Sequence, residues 1–147
     1  MTLRQTSRLT FALVLATGGA LALAGCSAIQ DGFAQEVTTE FPDAAAARSQ
    51  WDVTVPWLPD DATAIVTKKK PEGDVASVLV NSSSALDPAT CAEVDRESAP
   101  TVNVPDAPDV YAETRVFACG QWSVAATDEG WYGWTPNSPG EKTQATP

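Results

Sequence analysis

An apolar run near the start of the chain limits which residues are left to fold. Arg4 and Arg8 precede it, and residues 9–24 are almost entirely apolar or small. A basic stretch, an apolar stretch and small residues before a cleavage site are typical of a secretory signal peptide. The alternative is a transmembrane helix, but the run is short of the roughly 20 residues that cross a bilayer, and Gly18-Gly19 interrupts it. We therefore predict that residues 1–25 are removed.

The residues at the end of this run carry a resemblance. Leu23-Ala24-Gly25-Cys26 is similar to the lipobox of bacterial lipoproteins, in which a leucine and small residues precede a cysteine. The resemblance implies cleavage before Cys26, acylation of its thiol with chains such as palmitate, and attachment to the extracytoplasmic face of the cell membrane. Two or more chains matter because a single one holds a protein only marginally. The alternative is a soluble secreted protein in which Cys26 has no such role.

The other two cysteines are expected to form a disulfide. With Cys26 acylated, Cys91 and Cys119 remain as an even pair, and export places them in an oxidising compartment. Closing a loop of this length stabilises a fold by roughly 3.5 kcal/mol on entropic grounds. A reactive thiol is the alternative, but neither cysteine belongs to a CxxC motif and the chain has no histidine to act as its base.

Composition divides the chain into four predicted segments. Residues 1–25 form the signal peptide, and residues 26–49, rich in small and acidic side chains, form a lipid-anchored flexible tether. Residues 50–136 contain all five tryptophans and both tyrosines and should form one domain. Residues 137–147 lack apolar periodicity and are predicted to be a disordered tail. Within the tether, Asp43 can cap a short helix that could equally be the first element of the domain.

The strongest local patterns in the domain are those of β-strands. Residues 62–70 and 75–81 are predicted as two strands joined by a turn in which Gly73 can adopt a positive φ. The second strand is apolar on both faces, as is typical of a central strand. Residues 110–119 predict a further strand, and residues 120–136 predict a hairpin that turns at Thr127 to Gly130.

One short helix is predicted to carry a disulfide cysteine. Asp87 can cap it, Pro88 can occupy its first position, and Cys91 would follow within the first turn. The proline-rich residues 99–110 predict an irregular connection after it. The predicted fold class is therefore α+β, a small, mostly antiparallel β domain with a short helix stapled to the sheet by one disulfide.

Composition excludes several functions. A chain without histidine cannot form histidine-dependent catalytic triads, the common zinc sites or the usual proton shuttle at neutral pH. It contains no glycine-rich phosphate loop, so we predict no cofactor and no metal site. The formal charge is −10, and becomes −12 without Arg4 and Arg8, which excludes nucleic acid as a partner.

Two pairs of neighbouring carboxylates, Asp60-Asp61 and Asp128-Glu129, are the candidates for hydrolytic chemistry. A glycoside hydrolase places two carboxyl groups about 5–9.5 Å apart across a sugar, which neighbours in a turn rarely achieve. Turn and capping chemistry explain these residues without catalysis. We therefore predict that the protein is not an enzyme.

The aromatic residues near the end of the domain are candidates for a contact surface. In a strand, Trp131 would face one side, and Tyr132 and Trp134 the other, so both faces must be covered if all three are buried. An exposed ring of this kind can anchor a protein partner or stack on a sugar. The alternative is that these rings close a small core. The remaining tryptophans are expected to fill that core: Trp51, Trp57 and Trp122.

The only basic run, Lys68-Lys69-Lys70, ends a predicted strand. Lysines at such a place protect an edge strand against pairing with other chains. The alternative is a contact with an anionic wall polymer or an acidic partner.

A wider resemblance covers most of the chain after the tether. The stretches VPWLPDDATAI, LVNSSSALDPATC, VFACGQWSV and GWYGWTP are together similar to small lipoproteins of high-GC Gram-positive bacteria. This resemblance brings no activity with it. The resulting hypothesis is a lipid-anchored interaction or binding module of the cell envelope that contacts a protein partner. The alternatives are an envelope glycan-binding module and a carboxylate-dependent hydrolase.

Overall fold

The computed structural model describes residues 36–145, which contain one seven-stranded antiparallel sheet with strand order β1-β2-β3-β7-β6-β5-β4. The strands are β1 (Val37–Asp43), β2 (Thr63–Lys69), β3 (Ala76–Asn81), β4 (Ala92–Asp95), β5 (Arg115–Cys119), β6 (Trp122–Thr127) and β7 (Gly130–Thr135). The helices are α1 (Ala44–Gln50), a 3-10 helix (Val110–Ala112) and α2 (Pro139–Gln144). The predicted α+β class, mostly antiparallel β, is confirmed.

Both predicted hairpins are present. β2 and β3 are joined through a turn in which Gly73 has φ of 80°, and β6 and β7 are joined through Asp128 and Glu129. β3 lies between β2 and β7, as expected of a strand that is apolar on both faces. Its Val78 and Val80 are fully buried.

Two separate hydrophobic clusters cover the two faces of the sheet. On the first, which we call the α1 face, α1 and the segment after it pack with Trp57 and Ile65 against the sheet. On the second, the loop face, the proline-rich connection between β4 and β5 packs Val104 and Val110 against it. The irregular connection predicted at residues 99–110 is confirmed, and it is the cover of this face.

The Cys91–Cys119 disulfide is confirmed, but the predicted helix around Cys91 is wrong. Residues after Asp87 form a single turn, in which the Cys91 N–H donates to the Asp87 carbonyl at 2.9 Å. The chain then enters β4, which pairs with β5. Burying Val94 and forming a ladder with β5 outweigh the local capping signals at Asp87. The disulfide therefore joins the residue directly before β4 to the last residue of β5.

The predicted tether extends too far along the chain. β1 and α1 belong to the domain, because β1 pairs with β2 and the α1 residues Ala44 and Ala47 are buried. The predicted cap is confirmed: the Asp43 carboxylate accepts a hydrogen bond from the Ala46 N–H at 2.8 Å. The domain therefore includes residues 36–49. The predicted signal peptide, the first part of the tether and Cys26 lie outside the described residues.

The predicted disordered tail is also wrong over most of its length. Ser138 caps α2 and forms a capping box with Glu141, and Pro139 stands in the first turn. Glu141 is fully buried on the loop face. Its carboxylate accepts hydrogen bonds from the hydroxyls of Ser98 at 2.6 Å and Ser123 at 2.8 Å. This cluster holds the C-terminal segment on the sheet, which the polar sequence of residues 137–145 does not reveal.

The three lysines do not protect an edge strand, because β1 covers β2 and the edges of the sheet are β1 and β4. Lys68 forms an ion pair with Glu36 at 2.8 Å, and Lys69 forms one with Asp52.

None of the helices within residues 36–145 is long and apolar enough to cross a membrane.

Candidate functional site

Three connections meet at one end of the sheet and border an open depression of about 690 Å³. We call it the loop-end depression. Asp61 comes from the connection before β2, Ser82–Ala85 follow β3, and Asp128-Glu129 form the turn between β6 and β7. These segments meet because β3 and β7 are neighbours in the sheet, although the sequence places β4, β5 and β6 between them.

Asp61 fixes the shape of the loop-end depression. Its carboxylate accepts hydrogen bonds from the Ser82 hydroxyl at 2.5 Å and from the Ser83 N–H and hydroxyl, each at 3.1 Å. The bond from Ser82 is the main cause that lowers the pKa of Asp61 to about 2. The Ser82 N–H in turn donates to the Glu129 carbonyl at 2.9 Å. One carboxylate and one serine therefore connect all three segments.

Gly130 allows the hairpin turn to lie directly against β3. It has φ of 157°, and a Cβ atom there would lie 2.4 Å from the Val80 carbonyl oxygen and 2.6 Å from the Ser82 nitrogen. Both atoms belong to the backbone, so they cannot move aside cheaply. Glycine is therefore required where the turn closes one side of the depression.

Trp131 is the aromatic residue of the loop-end depression. Its indole N–H donates to the Ser84 carbonyl at 3.0 Å, and its ring packs edge-on against Phe117 with the ring centroids 5.6 Å apart. The residue is half-buried and lines the depression beside the polar loops. The structure thus places the predicted contact residue Trp131 at a concave polar surface.

Tyr132 and Trp134 are wrong as contact residues, because both are 0 % exposed. The Trp134 indole N–H donates to the Ser98 hydroxyl at 2.9 Å, and the Tyr132 hydroxyl donates to the Asn103 side-chain oxygen at 2.9 Å. Burial raises the pKa of Tyr132 to about 12. The alternation along β7 is as predicted, but the connection after β4 covers the loop face. Of the three candidates, only Trp131 lies at a surface.

Of the other tryptophans, Trp57 and Trp122 lie in the core as expected, with ring centroids 5.9 Å apart. Trp51 is only half-buried and lines a smaller groove beside α1. Its groove contains fewer acceptor groups for a polar ligand than the loop-end depression does.

One member of the first carboxylate pair meets the second pair in the structure, although the sequence separates them by more than sixty positions. Asp61, Asp128 and Glu129 all line the loop-end depression, whereas Asp60 pairs with Arg48 at 2.7 Å. The low pKa keeps Asp61 ionised near neutral pH, so it can neither donate a proton nor accept one readily. Among residues 36–145 no group of three or more acidic or sulfur side chains is placed to hold a metal ion.

Sequence reasoning missed the contribution of the segment after β3. Asn81 and the run Ser82-Ser83-Ser84 line the depression together with Trp131. A run of serines directly after a buried strand was the available signal, since such residues supply turn geometry and hydrogen-bonding groups at once.

Comparisons with known proteins assign no family: no protein-family model, curated protein or solved structure matches this chain. The class of protein is therefore defined by the fold and the site alone. It is a disulfide-bonded antiparallel β domain that presents a concave polar surface on three loops.

Proposed function

We propose that this protein is an extracytoplasmic lipoprotein, attached to the cell membrane through acylated Cys26, whose domain binds a glycan of the cell envelope without altering it chemically. The attachment is supported by the apolar run and by the motif Leu23-Ala24-Gly25-Cys26. The disulfide fits an oxidising compartment outside the cytoplasm. The binding site is the loop-end depression.

One observation carries the glycan proposal: a half-buried tryptophan side chain lies beside hydroxyl, amide and carboxylate groups in a single depression. Sugar rings have apolar C–H faces and a rim of hydroxyl groups. Trp131 offers a flat apolar surface for the former, and Asn81 and Asp128 offer partners for the latter. Pockets that combine an apolar wall with a few convergent polar groups are typical of small-ligand sites.

The same surface favours a glycan over a protein partner. Protein interfaces are anchored by clustered aromatic and apolar side chains. Among residues 36–145, the large hydrophobic residues that are exposed are Val37 and Tyr111, and neither lines the depression. Tyr132 and Trp134, which could have formed such an anchor, lie in the core.

A binding role also fits the acid–base chemistry better than hydrolysis does. A general acid for glycosidic cleavage needs a raised pKa, which burial in an apolar pocket provides. Asp61 has a lowered pKa and stands among serine donors. Its carboxylate therefore serves to position loops.

The site is tested by cosedimentation of the purified domain with insoluble Gram-positive cell walls, followed by calorimetry with soluble wall fragments. Trp131→Ala and Asn81→Ala should each weaken binding about tenfold, which corresponds to about 1.4 kcal/mol. Tyr111→Ala is the control, because this aromatic residue is 71 % exposed elsewhere on the surface. Wall binding by both depression variants at wild-type affinity, with their circular dichroism unchanged, would exclude the depression as the site.

The attachment is tested separately in cells. Cys26→Ser should move the protein from the membrane fraction to the medium or the soluble wall fraction and abolish incorporation of labelled fatty acid. Retention of Cys26→Ser in the membrane fraction would contradict the lipid anchor.

A further inference from the structure

We propose that the loop-end depression faces away from the membrane, so that its ligand is a polymer of the cell wall and not the membrane's own lipid. This inference rests on the proposed anchor at Cys26. It says which end of the domain binds the ligand relative to the membrane. It follows from the register of the sheet, which places the start of the domain and the depression at opposite ends.

The register of β1 gives the first observation. Val37 pairs with Lys69, directly before the β2–β3 turn, whereas Asp43 pairs with Thr63, a residue that lines the depression. Because Cys26 precedes β1 in the sequence, a chain coming from the lipid reaches the sheet at Val37. A strand of seven residues rises about 3.4 Å per residue, so roughly 20 Å separates this end from the depression.

The register of β3 and β7 shows that these central strands run between the same two ends of the sheet. Gly130 at the depression pairs with Asn81, and Thr135 at the other end pairs with Ala76, next to the β2–β3 turn. The whole length of β3 and β7 therefore lies between the β2–β3 turn and the loop-end depression.

Charge supplies an independent observation. The depression is lined by Asp61, Asp128 and Glu129 and by no lysine or arginine. An anionic membrane surface repels carboxylates within a Debye length of about 8 Å. At the Val37 end, Lys68 and Lys69 pair with Glu36 and Asp52, and the β2–β3 turn adds the exposed Lys70, Glu72 and Asp74. Three lysines thus stand against four carboxylates at this end, so repulsion there is weaker than at the depression. Attachment and electrostatics thus favour the same orientation.

The test measures energy transfer from two matched positions to the bilayer. Glu72 and Asp128 are both exposed acidic residues of hairpin turns, at opposite ends of the sheet. Full-length acylated Glu72→Cys and Asp128→Cys proteins, with Cys91 and Cys119 bridged, are labelled with a donor dye. They are then reconstituted into phosphatidylglycerol–phosphatidylethanolamine vesicles that contain an acceptor lipid.

We expect clearly higher transfer efficiency from position 72 than from position 128. Equal efficiencies, or a higher one from position 128, in protein that floats with the vesicles would overturn the orientation and leave the anchor and the wall binding standing. Failure of the acylated protein to float with vesicles would overturn the anchor and this orientation together, whereas cosedimentation with walls would still report the binding function.

Discussion

Two carboxylates in this protein both accept hydrogen bonds from serines of distant segments, but they differ in their exposure to solvent. At the loop-end depression, Asp61 accepts hydrogen bonds from Ser82 and Ser83; on the loop face, Glu141 accepts them from Ser98 and Ser123. Each connects segments that are distant in sequence. Asp61 faces solvent, whereas Glu141 is fully buried. The comparison teaches that one hydrogen-bonding arrangement can shape an open surface depression or close a core, depending on what covers it.

The pKa values of the two groups have different causes. Burial on its own would raise the pKa of Glu141, but hydrogen bonds from the Ser98 hydroxyl and the Glu97 and Ser138 N–H groups outweigh it, and the pKa is lowered. For Asp61 the hydrogen bond from Ser82 is the largest cause. Both carboxylates are therefore ionised in the folded protein near neutral pH.

The largest expected effect is that of Glu141→Ala. It leaves the N–H groups of Glu97 and Ser98 without their acceptor, at 2.8 and 3.1 Å in the folded protein. These two N–H groups are part-buried, and the buried Ser123 hydroxyl loses the same acceptor. A donor that loses its partner away from water costs about 1–3 kcal/mol, so we expect a loss of about 3 kcal/mol in the free energy of unfolding. Urea denaturation measures it, with the exposed Lys142→Ala on the same helix as the control. Equal stability of the two variants would refute the role of the buried cluster.

For Asp61→Ala we expect a small loss in the free energy of unfolding and a clear loss of the proposed wall binding. Because the Ser82 and Ser83 donors are near solvent, water can replace the carboxylate, and the stability loss should be much smaller than for Glu141→Ala. The proposed wall binding should fall, because the three loops lose their connection. Urea denaturation and cosedimentation of the same preparation decide this. A stability loss as large as that of Glu141→Ala would show that the two carboxylates are energetically equivalent.

Acidification should weaken both arrangements. A group with a lowered folded pKa contributes stability that is complete above its unfolded pKa and is lost as pH falls through the folded one. For Asp61 this window runs from about 4, the unfolded value, down to about 2. Stability of the wild type should therefore fall across this range, and Asp61→Asn should show a shallower dependence in acid titrations followed by fluorescence. Identical acid profiles for the two proteins would show that Asp61 contributes nothing to this loss.

Ser82→Ala is the smallest change and addresses the cause of the Asp61 pKa directly. Removing the hydroxyl that donates at 2.5 Å should raise the pKa of Asp61 toward its usual value. Carboxyl-detected nuclear magnetic resonance titration measures the shift, and Ser49→Ala, whose hydroxyl donates to a carbonyl of α1, is the control. An unchanged Asp61 titration in Ser82→Ala would assign the low pKa to the Ser84 and Ser83 donors.

Local pattern predicted the parts of the fold that depend on neighbouring residues. The hairpin with Gly73, the turn at Asp128-Glu129 and the cap at Asp43 are all short-range features, and all are present. The prediction failed where pairing with a distant strand overrides a local signal. Cys91 follows a good helix start at Asp87, yet the partner strand β5 draws the next residues into β4.

The candidate site was only partly within reach of sequence reasoning. The sequence predicts Trp131 as a contact residue and offers Asp61 and Asp128 as candidate carboxylates. Their convergence follows from the adjacency of β3 and β7, which no local pattern encodes. For the same reason the polar C-terminal residues gave no indication that Glu141 would be buried.

The sequence by itself determined the alternation along β7 and the turn positions, because each depends on residue type and spacing along the chain. It also predicted the pairing of Cys91 with Cys119, which the structure contains. Only the tertiary structure decided that Tyr132 and Trp134 lie in the core while Trp131 borders the depression. Whether a side chain is buried depends on what covers its face of the sheet. On the loop face that cover is the proline-rich connection between β4 and β5. On the α1 face, three loops converge at one end of the sheet beside Trp131.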